Sequence, residues 1–213
     1  MNNWFIKVFS SSIGKKLVMA LTGLFFCLFL FLHVIDNLMV YRGKTIFDAY
    51  VKSLHAIPLL VGVIEILLVF FAILHICFGL YLFYQNQKAR PINYNTTKWA
   101  GGRTLSSSLM PYTGLYILAF IIVHLINFRF ALEEGKSIYD MMDSAFSNPW
   151  YIVFYVFTMI VVGLHIRHGF WSAFQTLGLN HPKYMPFIQK VSVIFAVVVA
   201  VSMASVPIYF YYI

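Results

Sequence analysis

Five stretches of this chain contain no Lys, Arg, Asp or Glu: Leu17 to Ile35, Ile66 to Gln87, Thr104 to Phe128, Ser144 to Ile166 and Val191 to Ile213. Each is close to the roughly 20 residues that a bilayer-spanning helix requires. Backbone hydrogen bonds in hydrocarbon must close within the segment, and the strands of a membrane barrel would alternate rather than stay apolar throughout. The expected fold is therefore an all-α membrane protein: five transmembrane helices, over about 16–40, 59–87, 106–132, 148–176 and 187–212, in a single domain spanning 1–213. With 61% apolar and only 10% charged residues, the chain cannot coat a soluble surface of its size. A cytosolic enzyme, a disordered region and a nucleic-acid-binding domain are excluded on that ground. The first span follows Lys15 and Lys16 and lacks a small-residue cleavage site in the usual place, which argues against a removed signal peptide.

Direction follows from the basic residues in the short connections. With the N-terminus cytoplasmic, the inner side holds Lys7, Lys15, Lys16, Lys88, Arg90, Lys98, Arg103, Arg167, Lys183 and Lys190, and the outer side Arg42, Lys44, Lys52, Arg129 and Lys136. The acids agree independently: Asp36, Asp48, Glu65, Glu133, Glu134, Asp140 and Asp143 all fall in outer loops or outer halves of spans. The expectation is a multi-pass protein of the cell inner membrane, N-terminus cytoplasmic and C-terminus outside. The connection from Lys88 to Arg103 has four positive charges and no negative ones. It suits anionic lipid headgroups, haem propionates or an acidic partner subunit, and lipid alone would account for it.

None of the loops is long enough for a domain, and the sequence has no G-x-G-x-x-G, P-loop or ferredoxin cysteine run. Flavin chemistry would have to come from a partner. Cys27 and Cys77 sit inside apolar runs and offer neither a disulfide framework nor the C-x-x-C-H of covalent haem attachment.

His33, His75, His124 and His165 occupy the first four spans, one in each, flanked by apolar residues. A polar side chain in hydrocarbon is costly and normally faces a partner. One such histidine reads most simply as an interhelical hydrogen bond, but one in each of four helices points to a shared site. By helical rise, His33 and His124 lie roughly five residues past the centre of outward-going helices, and His75 and His165 roughly two and three past the centre of inward-going ones. The expectation is two pairs at two depths. His75 to Gly79 and His165 to Gly169 both read H-I-x-x-G, with a glycine one turn along on the same face; His33 to Asp36 and His124 to Asn127 both read H-x-I-[D/N]. A flat macrocycle fits beside such a glycine, and close helix packing would explain it too. Two imidazoles facing across a bundle form the axial ligands of a six-coordinate, non-covalent b-type haem. Zinc generally needs three or four ligands at one depth. A proton channel or transporter with a histidine relay, and a dihaem quinone cytochrome of another oxidoreductase, remain alternatives.

The four histidines at intervals of 42, 49 and 41 residues, the Ser10 to Lys16 run S-S-S-I-G-K-K, His33 followed by Asp36 and Asn37, and the run Gly163 to Gln175 resemble the single-chain dihaem cytochrome b anchor of succinate dehydrogenases and fumarate reductases. The resemblance covers nearly the whole chain and implies two haem b groups, with the first span paired to the third (His33 with His124, outer) and the second to the fourth (His75 with His165, inner). It also implies a menaquinone or ubiquinone site, and a flavoprotein with FAD and an iron–sulfur subunit with its clusters docked on the cytoplasmic face. Dicarboxylate catalysis would then belong to the partner. Some fumarate reductases of the family carry a glutamate two residues before the fourth ligand, proposed for transmembrane proton transfer; here that place is Gly163.

Other residues are candidates for supporting roles. Lys15, Lys16, Arg103 and Arg167 are inner-side cations that could neutralise propionates, though positive-inside topology explains them as well. His168 takes the position of Phe78 in the matching motif and is read as a neighbour of the inner haem or its propionates. His181 lies in an inner loop as a subunit-contact candidate. Asp36, His55 and Glu65 are titratable groups near the outer rim, and Glu65, inside the second span, requires protonation or pairing. Quinone chemistry needs such proton carriers.

Overall fold

The computed structural model describes residues 11–89, 105–131 and 136–213. Among the described residues are seven α-helices, here α1 (Ser12–Leu38), α2 (Lys44–Leu54), α3 (Pro58–Lys88), α4 (Leu105–Leu125), α5 (Ile138–Phe146), α6 (Pro149–Thr176) and α7 (Met185–Tyr212), with a short 3-10 turn at Met39–Arg42. Five of these, with their flanking turns, are long and apolar enough to cross a membrane: 12–42, 58–88, 106–130, 149–176 and 185–212. Among the described residues there is no strand. Large apolar side chains such as Leu28, Phe31, Leu59, Ile66, Phe70, Ile160 and Val201 lie exposed on the outside of the bundle. In water such a surface would aggregate; facing lipid it marks a multi-pass membrane protein.

Helix starts follow from local chemistry. Ser11 caps α1 by accepting from the Gly14 N–H at 3.0 Å, and Asn148 caps α6 by accepting from Trp150 N–H at 3.0 Å. Pro58 and Pro149 open α3 and α6, where a missing N–H costs nothing. α4 runs on into a single π turn, Ile126–Phe130. α2 and α5 occupy connections with no expected helix. Both are amphipathic and bury one face: Phe47 from α2, Met142 and Phe146 from α5. Ser137 accepts from the Asp140 N–H at 3.1 Å to start α5, an S-x-x-D signature present in the sequence.

α2 and α5 close the same end of the bundle. There Val40, Phe47, Met142, Phe146, Tyr155 and Phe210 form one buried cluster. Lys44 of α2 and Asp140 of α5 meet at 2.7 Å; the pair raises the lysine pKa and lowers that of the carboxylate. Both side chains are about half exposed, so the bridge orients the cap more than it stabilises it. Tyr50 of α2 donates to Asp36 Oδ1 at 2.6 Å, and losing that bond on ionisation pushes its hydroxyl up to about 12.

Packing among the spans is uneven. α6 and α7 share the most extensive interface, α1 lies against α3, α6 and α7, and α4 lies against α6; α3 and α4 touch only slightly. No residue of α3 is fully buried, whereas α6 buries seven, Gly163 among them. Because lipid tails are as apolar as the helix surfaces, close approach at small residues is what holds such helices together. A Cβ on Gly163 would sit 3.1 Å from Ala200 Cβ and 3.4 Å from the Ala196 carbonyl oxygen. A glutamate at this position would force α6 and α7 apart, which gives a physical reason for the glycine.

Gly163→Leu should therefore cost about 1–3 kcal/mol by overpacking. It is expected to lower the thermal midpoint of the purified protein in detergent, while Gly62→Leu, with nothing within 4 Å of the added Cβ, should leave it unchanged.

Candidate functional site

The four spans α1, α3, α4 and α6 each contribute one histidine, and the polar partners of these rings show how they are held. His75 on α3 points its Nδ1 at Thr22 Oγ1 of α1, 2.9 Å away. His165 on α6 points its Nδ1 at Thr113 Oγ1 of α4, 3.0 Å away. Each threonine has one proton, and each directs it to its own helix backbone: Thr22 to the Val18 carbonyl at 2.7 Å, Thr113 to the Leu109 carbonyl at 3.0 Å. With that proton on the backbone, the hydroxyl oxygen can accept from Nδ1–H of the ring, the tautomer that leaves the Nε2 lone pair for another partner. A methyl at Gly23 or Gly114, the residue after each threonine, would meet Cε1 of the same ring at 3.4 Å. These glycines seat the rings against the neighbouring helix.

His33 and His124 meet near the α2/α5 end, with ring centroids 6.1 Å apart and planes at 90°. Phe29 stacks on His33 at 5.2 Å and Phe120 on His124 at 5.6 Å, each from one turn earlier on the same helix. Polar contacts at this level are longer: Asn37 Nδ2 lies 3.4 Å from His33 Nε2, and the Tyr155 hydroxyl lies 3.5 Å from His124 Nδ1. His33 follows Thr22 by eleven residues and His124 follows Thr113 by eleven, which puts the two levels about 16 Å apart along the helices.

The correspondence between α1 and α4 extends beyond the histidines. Met19, Thr22, Gly23, Leu24, Phe29 and His33 match Met110, Thr113, Gly114, Leu115, Phe120 and His124 in order and spacing. The methionines have equivalent neighbours too, since Met19 Cε lies 3.4 Å from the Cβ position of Gly79 and Met110 Cε 3.9 Å from that of Gly169. The α1–α3 pair and the α4–α6 pair are thus two copies of one design. The threonines and glycines are the site residues that reading the histidines alone misses. The repeat M-x-x-T-G-L-x4-F-x3-H is the sequence feature that reveals them.

Among the cations at the opposite end, Lys15 and not Lys16 faces inward. Lys15 is 8% exposed, its Nζ 4.4 Å over the Tyr81 ring, whereas Lys16 is exposed. Arg167 is exposed and lines a groove between α4 and α6 with Ser106, Leu109, Thr113 and Leu164. His168 packs on Trp171 at 5.0 Å, and its buried Nδ1 has no hydrogen-bond partner among the described residues. Arg103 lies outside the described residues. At the α2/α5 end, Glu65 forms a two-pronged pair with Arg129 of the π turn, at 2.7 and 3.0 Å. This is the partner that an acid within a span requires, and it also ties α3 to α4. Glu65 lines an open apolar groove along α3 with Gly62, Ile66, Val69, Phe70 and Ile73. His55 is exposed and caps α2, its Nδ1 2.9 Å from the Val51 carbonyl. Asp36 is held by Tyr50 and does not line that groove. The structure thus places Glu65 at a groove and Asp36 apart from it.

No three His, Cys, Asp or Glu side chains come together among the described residues. No family model, curated protein or solved structure matches the chain.

The Glu65–Arg129 pair is roughly half exposed, so a double-mutant cycle of Glu65→Gln and Arg129→Gln on thermal stability should return a coupling of about 1 kcal/mol or less. A coupling several times larger would mean that the pair is the main lock between α3 and α4.

Proposed function

We propose that the chain is the haem-bearing membrane anchor and electron-transfer subunit of a succinate:quinone oxidoreductase, linking an iron–sulfur subunit on the cytoplasmic face to membrane quinone. The observation that supports it best is the placement of four intramembrane histidines at two levels, one from each of four helices, with Nδ1 of both rings at one level against a threonine hydroxyl of a neighbouring helix. When bound, a b-type haem at each level would supply one-electron transfer, held by His75 with His165 at one level and by His33 with His124 at the other.

The residues fit such groups. His33 and His124 bring their ring centroids within 6.1 Å of one another, so the two rings could hold one group between them. The weak contact between α3 and α4 leaves these helices free to flank flat groups. Beside His75 and His165, Gly79 and Gly169 present no side chain, and only mobile methionine ends lie over them. The unpartnered Nδ1 of His168 and the inward Lys15 are suited to propionates at the level of His75 and His165. A proton relay fits less well. The ten residues between Gly23 and Leu32 are apolar apart from Cys27, which leaves α1 without a proton-carrying chain between the levels.

In this reading the N-terminus is cytoplasmic, because ten basic residues and no acids fall on that side. The level of His75 and His165 receives electrons from the partner, whose own clusters and FAD carry out the dicarboxylate chemistry. Quinone lies in the α3 groove at the other face. There Glu65 holds or exchanges a proton and Arg129 steadies it.

Purified protein is expected to carry two low-spin b-type haems. Substituting His33 or His124 should remove one spectral component, and substituting His75 or His165 the other. A colourless, folded protein would overturn the function, and loss of the same component on substituting His33 and His75 would overturn the pairing. In the intact complex, Glu65→Gln should retain both haems and lower quinone turnover by about 10²-fold or more; unchanged turnover removes the α3 groove as the quinone site.

A further inference from the structure

The threonine contacts differ from the other polar contacts of the site in being short, duplicated and made to one level only. Thr22 and Thr113 lie on α1 and α4, yet the rings they hold, His75 and His165, sit on α3 and α6. At the other level no comparable acceptor holds a ring proton among the described residues; the contacts of His33 and His124 are 3.4 and 3.5 Å long. A hydroxyl is the smallest side-chain acceptor available here. In each case the adjacent glycine allows the ring to approach, with Cε1 3.4 Å from its Cβ position. The same M-x-x-T-G unit is used twice to the same end.

We infer that Thr22 and Thr113 are positioning residues: each locks its histidine in the Nδ1–H form with a fixed ring plane, and together they lower the redox potential of the haem held by His75 and His165. The inference rests on the haem reading above. An imidazole that donates its distal N–H to a good acceptor becomes a more basic ligand. A more basic ligand favours the oxidised metal, so the acceptor lowers the potential. Without the hydroxyl, Nδ1–H would have no acceptor in a region without water, and the ring could turn or shift its proton to Nε2.

The test uses Thr22→Val and Thr113→Val, which keep size and branching but remove the hydroxyl, alongside Thr22→Ser and Thr113→Ser, which retain it. In the purified complex, optical redox titration and low-spin EPR are measured for both haems, the inner one being identified as the component lost in His75→Leu. Each valine variant should raise the midpoint potential of that component and shift its EPR signal, which depends on the relative orientation of the two ring planes. The double variant should shift further, the serine variants should return towards the parent, and the other component should not move. Loss of the inner haem in the valine variants with retention in the serine variants supports the same role. Unchanged potential and EPR signal in the valine variants, or a shift confined to the haem of His33 and His124, would overturn it. A parent protein without haem would instead overturn the function itself.

Discussion

An imidazole inside hydrocarbon has two ring nitrogens to satisfy and no water to do it with. Each of His33, His75, His124 and His165 has a neighbour from another helix or from the preceding turn of its own. The solution at His75 and His165 is a threonine whose proton is already committed to the backbone, leaving an oxygen that can only accept. That one contact joins α3 to α1 and α6 to α4, and it turns Nδ1 of each ring toward the partner helix. The glycines after the threonines follow from it, since the ring must come within contact distance of the partner helix.

Rigidity is concentrated on one side. α6 and α7 meet at Gly163, Ala196 and Ala200, and α1 lies across both; the buried residues Val34, Val162, Ile166, Ala196 and Val199 form one of the two apolar cores there. α3 and α4 hang on this side through α1 and α6 and scarcely touch one another, apart from the Glu65–Arg129 bridge near the α2/α5 end. An arrangement with two histidine-bearing helices on the packed side and two on the loose side can admit flat groups between them without disturbing the α6–α7 seam. It also explains why Gly163 cannot be a glutamate here: the position belongs to that seam.

Much of this was legible in the sequence. Charge-free runs of membrane length fix the number and nature of the spans because nothing else satisfies a backbone in lipid, and the helices run past those apolar boundaries by as much as ten residues, as α6 does from Ile166 to Thr176. Depth and the H-I-x-x-G pattern gave the expectation of two histidine levels. Other features depended on tertiary geometry. α2 and α5 were hidden in the connections, although the S-x-x-D at Ser137 was a usable mark. Thr22 and Thr113 carried no weight singly, because threonine is ordinary in a membrane helix; only the alignment of α1 with α4 makes them stand out. Lys15 and Lys16 are about 100° apart on a helix, so topology counting could not choose the one that turns inward. Arg129 could not be matched to Glu65 from spacing, because a π turn re-aims it after His124.

The distribution of charge completes the physical picture. At the α2/α5 end, acids find cations or hydroxyls within the chain: Asp140 with Lys44, Glu65 with Arg129, Asp36 with Tyr50. At the opposite end Lys15, Lys16, Lys88, Arg167, Lys183 and Lys190 gather with no acidic residue among the described residues there. One end is therefore neutralised internally, and the other relies on anions from outside the chain. A buried cation such as Lys15 over Tyr81 gains from the aromatic face only a fraction of what a carboxylate or phosphate would give. Its natural complement is a negative group delivered by lipid, by a cofactor or by an acidic subunit surface. All three would act on the same end, the one nearest His75 and His165, so the electrostatics and the hydroxyl-held histidines bear on a single level of the site.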